Sequence, residues 1–278
     1  MFAFFANMFG YILNFIYEIV QNYGLAIILF TILIKLVMIP MSIKQQKTLK
    51  KSTQIQEKMK ELQFKYKNNP EMLNKETMAL YKKENMSPFS GCFGSIIQLI
   101  LLLSIFFLVQ SPLTYMRKVD TTVIEDYKTQ LQSQGEQTNG INYPEIQIIK
   151  EYGEKDEKVY MNMDFVGLDL SSIPVADMSD YRVYIIPALY VISSIISMKL
   201  TTNINTKKKE EENKEPSEMD AVAEANKNMA YIMPVMSVSI SLVAPLGLAL
   251  YWLVNNILMI AEKLIMNKFL KAEGEENG

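Results

Sequence analysis

Long apolar stretches separated by charged segments constrain this chain more than any other feature. Four such stretches are rich in aliphatic, Met and Phe side chains and nearly free of charge, at residues 24–43, 90–110, 183–200 and 229–265. Because roughly 20 apolar residues of helix cross a hydrocarbon core about 30 Å thick, each of the first three predicts one membrane span. The fourth is too long for one span, and Pro245 and Gly247 predict a break within it. Buried helices of a soluble protein are the alternative, but five spans are too many for one soluble core.

The charge of the connecting segments predicts the topology. Residues 44–87 hold eleven Lys against five acidic side chains, whereas residues 113–181 hold six basic side chains against thirteen acidic ones. Loops rich in Lys and Arg stay on the cytoplasmic side of a membrane. We therefore expect 44–87 inside and 113–181 outside. With five spans, the N-terminus then lies outside and the C-terminus lies in the cytoplasm.

These patterns predict an all-α polytopic membrane protein with the following segments. The five spans are 23–43, 89–111, 182–200, 229–244 and 245–265. Outside the cell we expect an interfacial amphipathic helix at 1–22 and an acidic loop at 112–181. The cytoplasmic segments are a helical hairpin at 44–88, a charged loop at 201–228 and a tail at 266–278.

Two of these segments leave a structural choice. The apolar residues of 1–22 recur at helical spacing and polar residues occupy another face, which is typical of an interfacial helix. A somewhat polar sixth span is the alternative for this segment. Within the external loop, short strands are the expectation for 141–163.

Lys35 is the first candidate for a functional side chain. It lies about eight residues from the cytoplasmic flank of the first span, which is roughly 12 Å of depth at a rise of 1.5 Å per residue. A Lys at the centre of a span costs about 2.5–3.5 kcal/mol, and such residues usually face a bundle interior or a wet cavity. The other predicted spans offer no carboxylate at that depth. The sequence therefore predicts a hydrated pocket that favours anions.

Other polar and aromatic side chains within the spans have two interpretations each. Gln98 and Ser197 could line a modestly polar groove together with Lys35, or could form ordinary hydrogen bonds between helices. The same choice applies to Thr31, Ser104, Ser193, Ser194, Asn255 and Asn256. Trp252 suits either a groove wall or an interfacial aromatic belt.

Missing residue types exclude several kinds of chemistry. The chain contains no His, which removes His-based general-base catalysis and the commonest zinc ligand. Cys92 is its only cysteine, so no internal disulfide can form. No Walker-type phosphate loop is present. We therefore expect a protein that is not an enzyme and that has no cofactor or metal.

Three motifs and one loop segment resemble the YidC/Oxa/Alb family of membrane insertases. Residues 23–35 (YGLAIILFTILIK), followed by Pro40 and a basic hairpin, resemble the first core span. Residues 85–92 (NMSPFSGC), which include Gly91 and precede Gln98, resemble the start of the second. Residues 245–252 (PLGLALYW) resemble the last span, and 164–170 resemble the segment before the third. The expected structural residues are Pro40, Gly91, Pro245 and Gly247.

The resemblance implies a membrane protein insertase and chaperone, and the missing Walker-type phosphate loop predicts that it works without ATP. The five core helices of such an insertase would enclose a hydrophilic groove. This groove would be open to the cytoplasm and to lipid but closed on the external side of the membrane. Lys35 stands where the family usually has Arg, and Ser197 where many relatives have Gln. With Gln98 and Trp252, these residues would form the client-binding groove.

The resemblance also implies the partners and the location. The partners would be nascent membrane proteins with acidic translocated tails and the lipid bilayer. Ribosomes and a Sec-type translocon are further candidates, and no recognition of nucleic-acid sequence is expected. The location would be the bacterial cell membrane.

Two other functions compete with this one. A small-solute transporter or channel would use Lys35 as an anion or proton site, but no inverted repeat is visible and the basic hairpin would have no role. An intramembrane enzyme would be left with an unusual Ser–Lys pair, because the chain has no His and no deeply placed carboxylate.

Overall fold

The computed structural model describes residues 2–67, 69–87, 90–133, 143–206, 236 and 238–276. Most of these residues are helical, so the predicted all-α polytopic class is confirmed. The α-helices are α1 (Phe2–Val20), α2 (Tyr23–Lys65), α3 (Pro70–Lys83), α4 (Ser90–Gln110), α5 (Thr121–Ser133), α6 (Pro144–Tyr152), α7 (Ile185–Thr206), α8 (238–243) and α9 (Leu246–Glu276). Short elements complete the described part: a π-helical turn at Leu113–Arg117, a 3-10 turn at Tyr181–Tyr184, and the antiparallel strands β1 (Asp164–Phe165) and β2 (Leu168–Asp169).

Several described helices are long and apolar enough to cross a membrane. They cover Phe2–Val20, Tyr23–Thr48, Tyr181–Leu200 and Leu246–Met266, with Ile96–Gln110 as a shorter apolar helix. The last four overlap predicted spans. Half of the predicted span 229–244 and most of the predicted loop 201–228 lie outside the described residues. Because α1 meets the same criteria of length and composition, the interfacial helix and the sixth span both stay open for it.

The chain forms two compact units. Apart from the first two residues, one comprises Ala3–Leu33 with Ile105–Gly278, and the other comprises Ile34–Ser104. We call them the larger and the smaller unit and describe each by itself.

Two basic helical segments fold against each other in the smaller unit. The side chain of Asn69 accepts a hydrogen bond from the Met72 amide (3.1 Å) and Pro70 occupies the first turn of α3, so this helix starts on a capping residue. At its other end, the Lys58 ammonium lies 2.6 Å from the Glu84 carboxylate and lowers the pKa of that group. The end of α3 therefore lies beside α2, which gives the two segments an antiparallel arrangement.

In the larger unit, residues 162–172 connect the starts of helices, and we call this segment the collar. The first N–H groups of an α-helix have no partner within the helix. Main-chain oxygens of the collar accept hydrogen bonds from such groups: Tyr23 to Asn162 (3.0 Å), Leu246 to Ser172 (2.9 Å) and Gly247 to Leu170 (3.0 Å). The collar therefore caps the starts of α2 and α9.

Close packing supports the same arrangement. A Cβ on Gly24 would lie 2.5 Å from the Phe165 ring, so only glycine fits beside the collar there. A Cβ on Gly247 would lie 3.3 Å from the Tyr23 ring. Pro245, which lies between α8 and α9, stands where no helical N–H is required.

The expectation of strands within 141–163 is wrong for residues 144–152, which form α6. Pro144 occupies the first turn and Glu145 follows it, which is a favourable start for a helix. Ile146 and Ile149, three residues apart, are buried on one face of this helix. In a segment this short, the spacing of Ile146, Ile148 and Ile149 is compatible with a strand and with a helix almost equally. Tertiary packing therefore determines that the segment is helical.

Glu145 is an acidic side chain that is only 4% exposed. Its carboxylate accepts hydrogen bonds from the Thr114 amide (2.9 Å) and hydroxyl (2.5 Å), which tie α6 to the π-helical turn. Burial nevertheless raises the pKa of this carboxyl above its ordinary value, because desolvation outweighs the hydrogen bonds from Thr114.

The raised pKa makes the stability of the larger unit depend on pH. Between the ordinary Glu pKa of about 4.3 and the raised folded value, the folded state binds more protons than the unfolded state, so stability falls as pH rises. We expect Glu145→Gln to remove this loss, which amounts to about 1.4 kcal/mol per unit of pKa shift. Thermal unfolding in detergent micelles from pH 4 to pH 8 measures it. Glu151→Gln, at an exposed position of α6, is the control. Parallel pH profiles for wild type and Glu145→Gln would contradict the prediction.

Candidate functional site

The four residues predicted to contact a client are divided between the two units. Lys35 and Gln98 belong to the smaller unit, whereas Ser197 and Trp252 belong to the larger one. The geometry of each pair is therefore described within its own unit.

Lys35 is half-buried on the apolar part of α2. Thr31, one turn earlier, is buried and its hydroxyl donates to the Ile27 carbonyl at 2.6 Å, so that polar group is satisfied within its own helix. The two residues that follow Lys35, Leu36 and Val37, are strongly exposed. Exposed aliphatic side chains on a membrane helix suit lipid, so Lys35 is a cationic position beside a lipid-compatible face.

Gln98 lies on an exposed face of α4. Its neighbours Ile96 and Leu99 are also exposed, so the amide stands among apolar side chains. Gly91 lies in the first turn of the same helix. Pro40 lies inside α2, which continues from the predicted span into the basic segment without a break.

Ser197 and Trp252 lie on neighbouring helices of the larger unit, α7 and α9. The Trp252 indole is buried and its ring centroid is 5.9 Å from that of Tyr190. One turn further along α9, the Asn256 amide donates to the hydroxyls of Ser193 (3.0 Å) and Ser194 (3.2 Å).

We call Tyr190, Ser193, Ser194, Trp252 and Asn256 the α7–α9 seam. Ser193 also donates to the Tyr190 carbonyl at 2.9 Å, which joins the polar and aromatic parts of the seam. Ser197, one turn beyond Ser193 on α7, is buried as well. The seam therefore holds the two helices together by an aromatic contact and a polar contact one helical turn apart.

For each polar member of the seam, the sequence predicts either a place in the groove wall or a hydrogen bond between helices, and it does not single out Tyr190. The signal for Tyr190 is its spacing of three and four residues from Ser193 and Ser194, which puts all three on one helix face. Of the collar, the sequence indicates only that residues 164–170 precede the third span, because the role of main-chain oxygens as acceptors for helix starts has no signature in composition.

Comparison with known proteins then decides the family. Residues 15–273 match the family described as 60Kd inner membrane protein. The chain belongs to this family. It is the YidC/Oxa family that residues 23–35, 85–92 and 245–252 resemble, so the resemblance is confirmed.

Three relatives, each named membrane protein insertase YidC, illustrate the similarity. The Treponema denticola protein is 30% identical over 261 residues, which are 94% of this chain and 37% of the relative. The Geobacter metallireducens protein is 26% identical over 271 residues, 98% of this chain and 38% of the relative. The Caldanaerobacter subterraneus subsp. tengcongensis protein is 27% identical over 267 residues, 95% of this chain and 96% of the relative.

The matched region is a different fraction of each relative. The chain spans little more than a third of the first two relatives and almost the whole of the third. Family membership and the apolar helices together make the chain a multi-pass membrane protein of a bacterial type.

The seam predicts that the adjacent residues Asn255 and Asn256 contribute differently to the stability of the protein. Asn256→Ala removes both hydrogen bonds to α7 and should destabilise the protein by about 1 kcal/mol, the usual size of such contacts between membrane helices. Asn255→Ala, at a half-buried neighbour of the same residue type, is the matched control and should cost less. Thermal unfolding of the purified variants in detergent micelles measures both. Equal losses for the two variants would show that the Asn256 hydrogen bonds do not stabilise the contact between α7 and α9.

Proposed function

We propose that this family member is a membrane protein insertase and chaperone that works without ATP. The observation that carries the proposal is the family match over residues 15–273. The Caldanaerobacter relative adds to it: the matched region makes up 96% of a protein that is named an insertase. A protein that consists almost entirely of the matched region therefore carries the name insertase.

The energetics of insertion support a mechanism without ATP. Apolar residues favour the bilayer by about 0.3–0.6 kcal/mol each, so 20 of them contribute roughly 6–12 kcal/mol. An acidic residue costs about 2.5–3.5 kcal/mol at the bilayer centre, but this cost disappears once the residue reaches water on the far side. Insertion of a single span with a short acidic tail is therefore favourable overall, and the protein has only a barrier to lower.

Lys35 is the proposed group that lowers this barrier. Two opposite unit charges 4 Å apart attract each other by about 4 kcal/mol at an effective dielectric constant of 20. That attraction is comparable to the cost of placing one carboxylate in the bilayer centre. A half-buried cation on a membrane helix therefore suits the transient capture of an acidic client tail.

The remaining candidates complete the proposed client contacts. Gln98 is exposed on α4 and supplies an amide that can donate and accept hydrogen bonds. Ser197 and Trp252 supply polar and aromatic contacts on α7 and α9. The basic segments of α2 and α3 would assist capture in the cytoplasm, and a ribosome or a Sec-type translocon is a further proposed partner.

Lys35 variants test the proposed mechanism. In cells depleted of their own insertase, we expect wild type and Lys35→Arg to insert a single-span client with an acidic external tail. Lys35→Ala should slow this insertion at least about tenfold, which corresponds to a loss of about 1.4 kcal/mol. Lys158→Ala, at an exposed position outside all the proposed client contacts, is the matched control and should behave as wild type.

A second client makes the result specific. A client whose external tail is neutral should be inserted equally by wild type and by Lys35→Ala. Full activity of Lys35→Ala on the acidic tail would remove Lys35 from the mechanism. Failure of wild type with both clients would disprove the insertase function itself.

The proposed orientation has the basic segments of α2 and α3 in the cytoplasm. The excess of Lys in 44–87 supports it. Helices α2 and α9 both start at the collar, and the Arg182 guanidinium donates to the Gly167 carbonyl (3.4 Å) just before α7 starts. In an alternating five-span topology, these three helices must all start on the same side of the membrane.

Cysteine labelling tests the orientation. In a Cys92→Ser background, a membrane-impermeant maleimide should label Glu157→Cys in intact cells, because this exposed position is proposed to lie outside. Lys75→Cys, exposed on α3, should react only after the cells are lysed. The reverse pattern would show that the orientation is inverted.

A further inference from the structure

The turn of the β1–β2 hairpin contains an unusual residue. Val166 and Gly167 both have positive φ angles, +56° and +75°, as the two central residues of a type I′ turn do. Glycine adopts this conformation easily, and Asn or Asp is the usual first residue. Val is β-branched, and its backbone is strained in the left-handed region. The geometry of the turn therefore does not explain why residue 166 is Val.

Packing does not explain Val166 either. Its side chain is 86% exposed, so contacts within the described structure do not offset the strain. Strained backbone of this kind is concentrated at functional sites of proteins. An apolar side chain that projects from a tip in this way suits an apolar environment outside the protein.

Hydrogen bonds fix the tip beside the starts of two membrane helices. The Arg182 guanidinium donates to the Gly167 carbonyl (3.4 Å), next to the first residue of the span Tyr181–Leu200. On the other side, the Asn22 amide donates to the Asp164 carbonyl (2.6 Å), immediately before α2 begins. Because apolar spans begin at these points, the tip lies at the level of the bilayer boundary.

The surface around the tip continues the lipid-facing surface of α7. Tyr181, the neighbour of the Arg182 that contacts the tip, is 79% exposed, and Met178, three residues before Tyr181 in the chain, is 69% exposed. Along α7, exposed aliphatic side chains recur at helical spacing after Tyr181: Ile185, Leu189, Ile192 and Ile196. Tyr is favoured at membrane interfaces, where its ring meets lipid and its hydroxyl meets water.

We propose that Val166, Met178 and Tyr181 form a lipid anchor, which inserts into the interfacial layer of the bilayer on the side where α2, α7 and α9 begin. Continuity with the exposed stripe of α7 identifies lipid as the occupant. A stable protein partner would need roughly 800 Å² on each side, and three side chains provide too little area for that. Asp164, Asp169 and Asp180 flank the anchor and limit its depth to the headgroup region.

A fluorescent probe tests the depth of the anchor. The full chain with Val166→Cys in a Cys92→Ser background is labelled with an NBD fluorophore. It is then reconstituted into vesicles of phosphatidylethanolamine and phosphatidylglycerol, some of which carry nitroxide-labelled lipids. We expect several-fold weaker quenching by iodide, present on both sides of the membrane, than for the control Gln132→Cys, an exposed polar position on α5. Nitroxides near the headgroup should quench the Val166 probe more strongly than nitroxides at the chain end.

Two results would overturn the anchor. Equal iodide quenching at positions 166 and 132, without quenching by nitroxide lipids, would place the tip in water. Iodide protection that increases with the ratio of protein to lipid would identify a second copy as the occupant.

A further variant separates anchoring from turn geometry. Val166→Asn suits the type I′ turn better, so it should leave thermal stability in detergent unchanged or raised. In vesicles, it should reduce the nitroxide quenching of a probe at Tyr181→Cys, because the apolar tip is lost. Unchanged quenching at position 181 would show that Val166 does not anchor the segment.

Discussion

The structure depends on how the free N–H groups at the starts of membrane helices are satisfied. Each unpaired main-chain group costs several kcal/mol where water is absent, so a helix that starts near a bilayer needs a partner for its first turn. In the larger unit, carbonyls of the collar provide this partner for Tyr23, Leu246 and Gly247. The requirement places α2 and α9 against the same short segment of chain. Glycine at positions 24 and 247 then allows the close approach that the hydrogen bonds demand.

The seam adds a second level of attachment to α9. The collar holds the start of this helix, and Asn256 binds it to α7 about ten residues later, roughly 15 Å along the axis at 1.5 Å per residue. A helix that is held at two levels resists both tilt and rotation. For the proposed function, α7 and α9 are therefore suited to act as a fixed surface past which a client segment moves.

The sequence predicts the membrane class because the length of a span is set by the bilayer, and because charge bias depends only on local composition. The family motifs are contiguous, so they too can be read without a structure. Pairing between distant residues has no such local signature. Asn256 and Ser193 are 63 residues apart, and nothing in either segment identifies the other as its partner. The helix α6 and the buried Glu145 were missed for a related reason, because packing against Thr114 and its neighbours decides both.

The continuity of α2 gives the smaller unit a mechanical property. From Lys35 to Lys65 the helix is unbroken, and at 1.5 Å per residue this distance is about 45 Å. One helix therefore joins Lys35 to the basic part of α2, which is tied to α3 through Glu84. A displacement of the basic part moves Lys35 only as far as the helix between them stays rigid. Pro40, which cannot donate the helical hydrogen bond, lies five residues from Lys35 and is the position between them where this helix bends most easily.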